Sequence, residues 1–230
     1  MRAHWVVPLN IQDEYILTGD SLHHLVNVIR IEVNERLLLL DGKGSFVETT
    51  VSSISKKELR LKLCTHYEKK RSYEMDLVLA MPKREALELS LKQATELGFA
   101  RVFLVRSEYS QMRFPEEERT NKLMVSALEQ SNAAFLPEVL PSEWNKIPWE
   151  NYGEILLLDS QTKDSKNAII SEGNCRKLLI VGPEGGFSPE ELEMLHSLKS
   201  IRVVNLPTPI LRTPTAVATG AGIILQRLLK

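Results

Sequence analysis

Three glycines close an aliphatic run in Leu178-Leu179-Ile180-Val181-Gly182-Pro183-Glu184-Gly185-Gly186-Phe187-Ser188-Pro189-Glu190-Glu191. Glycine lets a backbone come close to a ligand and present its own N–H and C=O groups, so a glycine turn after an apolar strand is a candidate binding site. Ser188, Pro189 and Glu191 occupy the N-cap, N1 and N3 positions of a capping box, so a helix starts at once beyond the turn. The spacing is neither GxGxxG nor GxxxxGK[ST], and a tight strand-to-helix turn with no ligand accounts for the residues equally well. A second loop, Asn205-Leu206-Pro207-Thr208-Pro209-Ile210-Leu211-Arg212-Thr213-Pro214-Thr215-Ala216, is stiffened by three prolines, and Thr213-Pro214 read as N-cap and N1 of a last helix. A rigid loop holding Ile210 and Leu211 suits a flat, apolar group such as adenine, with the Arg212 guanidinium at the mouth; a single arginine at a helix start also serves as ordinary solvated surface.

Other candidates are weaker. His23-His24 are neighbours whose side chains diverge on a helix, and no third ligand is in range. Asp41-Gly42-Lys43-Gly44-Ser45 lacks the P-loop spacing and reads as a hairpin turn. Gln93, Glu96, Glu129 and Gln130 fall near helix ends, where capping or solvent exposure explains them. Cys64 and Cys175 are far apart and form no CxxC, which excludes a disulfide framework or a zinc ribbon and leaves no metal expected. No Ser/His/Asp or Cys/His arrangement is present.

The elements that position these residues follow from periodicity. At 230 residues, 43% hydrophobic and 26% charged, the chain has the composition of a globular protein with one large or two modest domains. No apolar run reaches the roughly 18 residues that span a bilayer, and Met1-Arg2-Ala3-His4-Trp5 opens no signal-peptide core, so a cytoplasmic, non-membrane protein is expected. A net charge of -1 means that a polyanion would have to be met by a local patch. Residues 36–41, 46–54 and 58–63 read as short strands; in the last, Leu59, Leu61 and Leu63 alternate with Glu58, Arg60 and Lys62. They predict a small antiparallel sheet or barrel, preceded by a short helix over 20–30. Glu68-Lys69-Lys70-Arg71-Ser72 interrupts the pattern, which divides the chain into domains 1–72 and 73–230. Beyond it come strands at 75–80, 101–106, 154–159, 177–181 and 202–206. Helices fall at 83–97 (Leu87, Leu91, Ala94 and Leu97 on one face, Gly98 as C-cap), about 115–131, from 189, and in the very apolar 216–229. Such alternation, with near-continuous apolar strands, predicts an α/β domain with a parallel sheet covered on both faces.

Several separated segments recur together: Gln93-Ala94-Thr95-Glu96-Leu97-Gly98, Glu129-Gln130-Ser131, the glycine turn from Gly182 to Ser188, and Ile210-Leu211-Arg212-Thr213 with Thr215-Ala216. Arg2, His24-Leu25, Val28-Ile29-Arg30, and Asp41-Gly42 with Gly44 extend the pattern over the whole chain. In these the sequence resembles the ribosomal RNA small subunit methyltransferase E family, the uridine-N3 branch of the SPOUT methyltransferases. The resemblance implies an N-terminal PUA-like RNA-binding β-barrel and a C-terminal SPOUT-type domain whose chain forms a deep trefoil knot, a feature that periodicity does not reveal. It implies a homodimer that binds S-adenosylmethionine and methylates N3 of a uridine in 16S rRNA, free or in the 30S particle. Leu158, Val181, Gly182, Pro183, Gly185, Gly186, Leu206, Ile210, Leu211, Thr213, Thr215 and Ala216 would line the cofactor site, with Leu158-Asp159 ending one strand at its wall. Arg2, Arg30 and Lys83 would meet RNA. Arg212 would stabilise the developing uridinate, and Glu184 would orient the loop or accept a proton.

The chain departs from that pattern. Pro207, Pro209 and Pro214 replace a glycine, an arginine and a glutamate; Tyr109 in Ser107-Glu108-Tyr109-Ser110 replaces an arginine; Asn132-Ala133 stand where Gly-Arg is common. The missing arginines admit a second reading, a SPOUT-fold rRNA-binding or assembly factor with weak catalysis. A third is a small-molecule enzyme that uses the glycine turn for a phosphate.

Overall fold

The computed structural model describes residues 1–110, 113–160, 162 and 176–226. They cluster into two units, Met1–Arg71 with Leu128–Phe135, and Ser72–Ala127 with Leu136–Lys230. Residues 128–135 therefore return to the first unit, a feature that a division at one point of the chain does not contain.

In the first unit, β1 (Arg2–Trp5), β2 (Glu14–Leu17), β3 (Arg36–Leu40), β4 (Ser45–Ile54) and β5 (Leu59–Glu68) form one sheet in the order β1-β3-β4-β5-β2. Alternation works as read: Leu59 and Leu61 are buried in a core with Tyr15, Leu25, Leu37 and Leu39, whereas Lys62 faces solvent. The sheet is mixed rather than antiparallel, because β1 runs parallel to β3; the long connection from residue 6 to 35 provides the crossover that a parallel pair requires. The helix expected over 20–30 is α1 (Gly19–His23), continued by a π-helical turn over His24–Val28 and closed by Arg30 at φ 58°. Asp41 accepts the backbone N–H groups of Lys43 (2.7 Å) and Ser45 (3.0 Å), so the glycines around Lys43 serve a hairpin. Glu129 is no helix cap. Its carboxylate accepts the Trp5 N–H at 2.8 Å and lies 3.0 Å from His4 Nδ1. Burial would push the Glu129 carboxyl up, but the bonds from His4 and Trp5 outweigh it and hold the group below the usual carboxylate range.

The second unit is built on a parallel sheet of β6 (Met75–Ala80), β7 (Arg101–Val105), β8 (Glu138–Ser142), β9 (Glu154–Leu158), β10 (Lys177–Val181) and β11 (Ile201–Val204), ordered β11-β9-β10-β6-β7-β8. Every residue of β6 and β10 is buried, as expected for strands covered on both faces. Met75, Leu77 and Leu79 point to one side, where Leu87, Leu91 and Ala94 of α2 (Arg84–Glu96), Met124 of α3 (Glu117–Ser131) and Val217, Ala221 and Ile224 of α5 (Thr213–Gln226) pack. Val78, Ala80, Leu178 and Ile180 point to the other, against Ile147, Tyr152, Phe187 and Leu195 of α4 (Pro189–His196). Each such aliphatic burial contributes about 1.5–3 kcal/mol. Gly220 lets α5 come close: a Cβ there would sit 2.5 Å from Leu179 Cδ1 and 3.1 Å from Leu158 Cδ1. Strand β8 escapes the sequence reading because Pro141 lies within it, which an edge strand tolerates. Among the described residues no helix is long and apolar enough to cross a membrane. The last turn of the helix expected to 229 and Cys175 lie outside the described residues.

The N-terminal ends of the strands carry buried ion pairs. Lys177 Nζ meets Glu154 at 2.9 Å with both side chains almost wholly enclosed. One oxygen of the fully buried Asp76 receives Arg101 (2.7 Å), Arg176 (2.9 Å) and the Tyr152 hydroxyl (2.7 Å). At the far side Arg202 lies 3.8 Å from Glu154. The opposite ends of the strands, where ligands settle in open α/β sheets, are thereby left to the glycine turn and the proline loop.

Candidate functional site

Beyond the C-terminal ends of β9, β10 and β11, one pocket is enclosed by the 182–187 turn, the 205–211 loop, Leu158 to Ser160, and Thr213 and Ala216 of α5. The capping box forms as its residues require: Ser188 Oγ accepts the Glu191 N–H at 3.3 Å, and Glu191 accepts the Ser188 N–H at 2.9 Å. The same Glu191 carboxylate also takes the Ser107 hydroxyl (2.8 Å), the Glu108 N–H (3.1 Å) and the Trp144 indole N–H (3.0 Å). It thus fixes the start of α4 to the loop after β7. Thr213 donates its hydroxyl to the Gly182 carbonyl (3.1 Å), and Asn205 Nδ2 donates to the carbonyls of Ser160 (3.4 Å) and Thr162 (3.0 Å). Each wall of the pocket is therefore bonded to another wall.

The glycines have separate tasks. A Cβ at Gly182 would stand 3.0 Å from the Phe187 ring, and one at Gly185 would stand 3.0 Å from Tyr109 Cβ. Gly186 holds φ +75°, the left-handed region that favours glycine. Glu184 turns its carboxylate to the Lys83 N–H, 3.2 Å from each oxygen, and so satisfies a backbone donor at the start of α2.

Of the residues singled out in the sequence, Leu158, Val181, Gly182, Pro183, Glu184, Gly185, Gly186, Leu206, Ile210, Leu211, Thr213 and Ala216 line this one pocket. Two do not. Thr215 is exposed on the outward side of the first turn of α5, where the helical period points it away from Ala216, and Arg212 stands beside the wall, its guanidinium without an ion pair among the described residues. Lys83 is exposed at the start of α2. Arg2 and Arg30 belong to the first unit, where Arg2 pairs with Glu35 at 3.2 Å. Sequence reading missed Ser160 and Asn205 as wall residues, although their place just past apolar strands was a usable signal. It also read Glu191 as a cap alone, since its partners lie more than forty residues away in the chain. The charged side chains that line the pocket among the described residues are Asp159 and Glu184, both acidic.

Residues 68–225 match the family of RNA methyltransferase domains, and residues 17–64 match the RNA methyltransferase PUA domain. The chain belongs to the RNA methyltransferase family. Proteins from Rickettsia conorii (29% identical over 210 residues, 89% of this chain and 86% of that protein) and Mycobacterium bovis (29% over 224 residues, 91% and 85%) are similar to it; both are named ribosomal RNA small subunit methyltransferase E. A crystal structure of a Neisseria gonorrhoeae protein of that name, bound to S-adenosyl methionine, shares the fold with a TM-score of 0.84 at 24% identity, over 98% of this chain and 97% of that one. The RNA methyltransferase match includes every wall of the pocket, and the PUA match falls on the sheet of the first unit.

Proposed function

We propose that this RNA methyltransferase uses S-adenosylmethionine to methylate N3 of a uridine in 16S rRNA. The reading makes it a cytoplasmic homodimer acting on small-subunit rRNA or the 30S particle, with a knotted SPOUT-type second domain and a PUA-like barrel for RNA. The charge and shape of the pocket carry it. Leu158, Leu206, Leu211 and Ala216 offer an apolar slot for a purine, and the two charged side chains on its wall are carboxylates, which suit a cationic sulfonium and ammonium. A phosphate would meet those carboxylates with no lining cation among the described residues, which weighs against a phosphate-binding turn. Bonds from Thr213 and Asn205 tie the 205–213 loop to the two preceding strand ends. Ile210, 84% exposed at the loop tip, is the kind of side chain a second copy would cover.

When bound, S-adenosylmethionine supplies an electrophilic methyl group on a positively charged sulfur. Uracil N3 is a poor nucleophile while it carries its proton, so the protein must favour the uridinate. In this reading Arg212 does so from the rim, where its guanidinium has no ion pair among the described residues and its charge can face the uracil carbonyls. Glu184 commits both oxygens to the Lys83 N–H and acts as the orienting carboxylate of the turn.

The test is to incubate the protein with S-adenosylmethionine and 30S particles from a strain lacking it, then analyse the rRNA nucleosides by mass spectrometry. N3-methyluridine formation supports the reading. Methylation at another atom refutes the N3 assignment, and cofactor binding without any transfer points to the assembly factor that the missing arginines allow.

A further inference from the structure

Glu184 and Gly185 face two ways. Besides lining the pocket, they form one wall of a second cleft completed by Met81, Pro82, Lys83 and Tyr109. The polar ends of two side chains in this cleft are uncommitted among the described residues. Tyr109 is 46% exposed, and its hydroxyl makes no hydrogen bond among the described residues. The Lys83 ammonium is exposed and has no ion pair among them, since Glu184 engages only the Lys83 backbone.

The exposure of Tyr109 does not come from a loose loop. Ser110 N–H donates to the Ser107 carbonyl at 3.0 Å, and Ser107 N–H donates to Ser110 Oγ at 3.1 Å. The Ser110 hydroxyl donates to the Met81 carbonyl at 2.9 Å, while Ser107 and Glu108 are held by Glu191. A turn bonded at both ends presents a large aromatic ring to solvent, with its Cβ against a residue that has no side chain. A ring held in advance loses little freedom when a flat partner settles on it. Stacking needs a face and no hydrogen bond, which the exposed Tyr109 ring, in one cleft with the Lys83 ammonium, offers to a base and its phosphate.

We propose that Tyr109 is the stacking platform for an unstacked nucleobase of single-stranded RNA, with Lys83 taking the adjoining phosphate. The proposal deepens the function argued above and rests on it for the class of substrate. Enzymes that modify a base must take it out of its stack, and an aromatic face next to the cofactor wall offsets part of the cost of doing so.

The experiment measures anisotropy of a labelled oligouridylate RNA against the full-length protein, with calorimetry of S-adenosylmethionine on the same preparations, for wild type, Tyr109→Ala, Tyr109→Phe and Lys83→Gln. The expected result is about tenfold weaker RNA binding for Tyr109→Ala, Tyr109→Phe within about twofold of wild type, and a flatter salt dependence for Lys83→Gln, with cofactor affinity unchanged throughout. Wild-type RNA affinity in Tyr109→Ala overturns the proposal, as does a wild type that does not bind the oligouridylate. Equal loss in Tyr109→Phe also overturns it, because the hydroxyl would then be the contact; so does a parallel loss of cofactor affinity, which would make Tyr109 a packing residue of the turn. A protein that shows the Tyr109-dependent RNA binding but never binds S-adenosylmethionine keeps the platform and refutes the methyltransferase reading instead.

Discussion

The Glu191 carboxylate receives the Ser107 hydroxyl at 2.8 Å across the gap between the first turn of α4 and the loop after β7. Replacing Glu191 with alanine removes the capping box and also leaves the Ser107 hydroxyl and the Trp144 indole without their acceptor. A cap alone is worth about 1 kcal/mol and each stranded polar group about 1–3 kcal/mol, so a loss of about 3 kcal/mol or more is expected, with Glu191→Gln losing less. Urea unfolding at neutral pH measures it. A change below about 0.5 kcal/mol would show that water replaces these bonds at no cost.

Gly185→Val is expected to lower cofactor affinity at least about tenfold by displacing the turn, since the added Cβ would stand 3.0 Å from Tyr109 Cβ. Backbone strain is the problem of its neighbour, because Gly186 sits at φ +75°. Gly186→Ala should therefore cost about 1–2 kcal/mol of stability. Calorimetry and unfolding separate the two effects. Normal cofactor affinity in Gly185→Val would mean that the turn does not border the cofactor.

Arg212→Ala is expected to lower single-turnover methylation about 10²-fold or more while S-adenosylmethionine binds as before, the pattern of a lost electrostatic donor. Full turnover would make Arg212 an ordinary surface residue, and a loss of cofactor binding would move it into the pocket wall.

Tyr152 gives a prediction in pH. Burial, reinforced by the hydrogen bond to Asp76 and by its charge, pushes the Tyr152 hydroxyl well above its ordinary value. A folded-state pKa above the unfolded one contributes stability that is fully present below the unfolded value, roughly 10, and lost as pH rises through the folded one. The stability difference between wild type and Tyr152→Phe should therefore shrink from about pH 9 to about pH 11. A difference independent of pH over that window would contradict the assignment.

How far these features were legible depends on how local their causes are. The 177–181 strand, the capping box at Ser188 and the alternation at Leu59 and Leu61 are each written within a few residues, and the structure has all three. The parallel partner of β1, the return of 128–135 to the first unit and the partners of Glu191 depend on distant residues, and local periodicity is silent on them. The same holds within the site. Both loops were visible as glycine and proline clusters, whereas the position of Arg212 and Thr215 beside a wall built from their neighbours is set by how α5 begins.

Strand β10 enters the sheet between β9 and β6, both of which precede it in the chain. Two consecutive cations at its start reach in opposite directions, Arg176 to Asp76 on β6 and Lys177 to Glu154 on β9. Aliphatic strands such as these fit one another in many alignments, but a slip of one residue would carry both cations away from carboxylates that lie inside the protein. Asp76 would keep Arg101 and Tyr152, but Glu154 would lose Lys177, and breaking a buried pair costs about 3–5 kcal/mol, more than the burial of one additional methyl group could offset. The pair acts as an address: the chain states, in two adjacent residues, both the neighbours of the inserted strand and the depth to which it goes in.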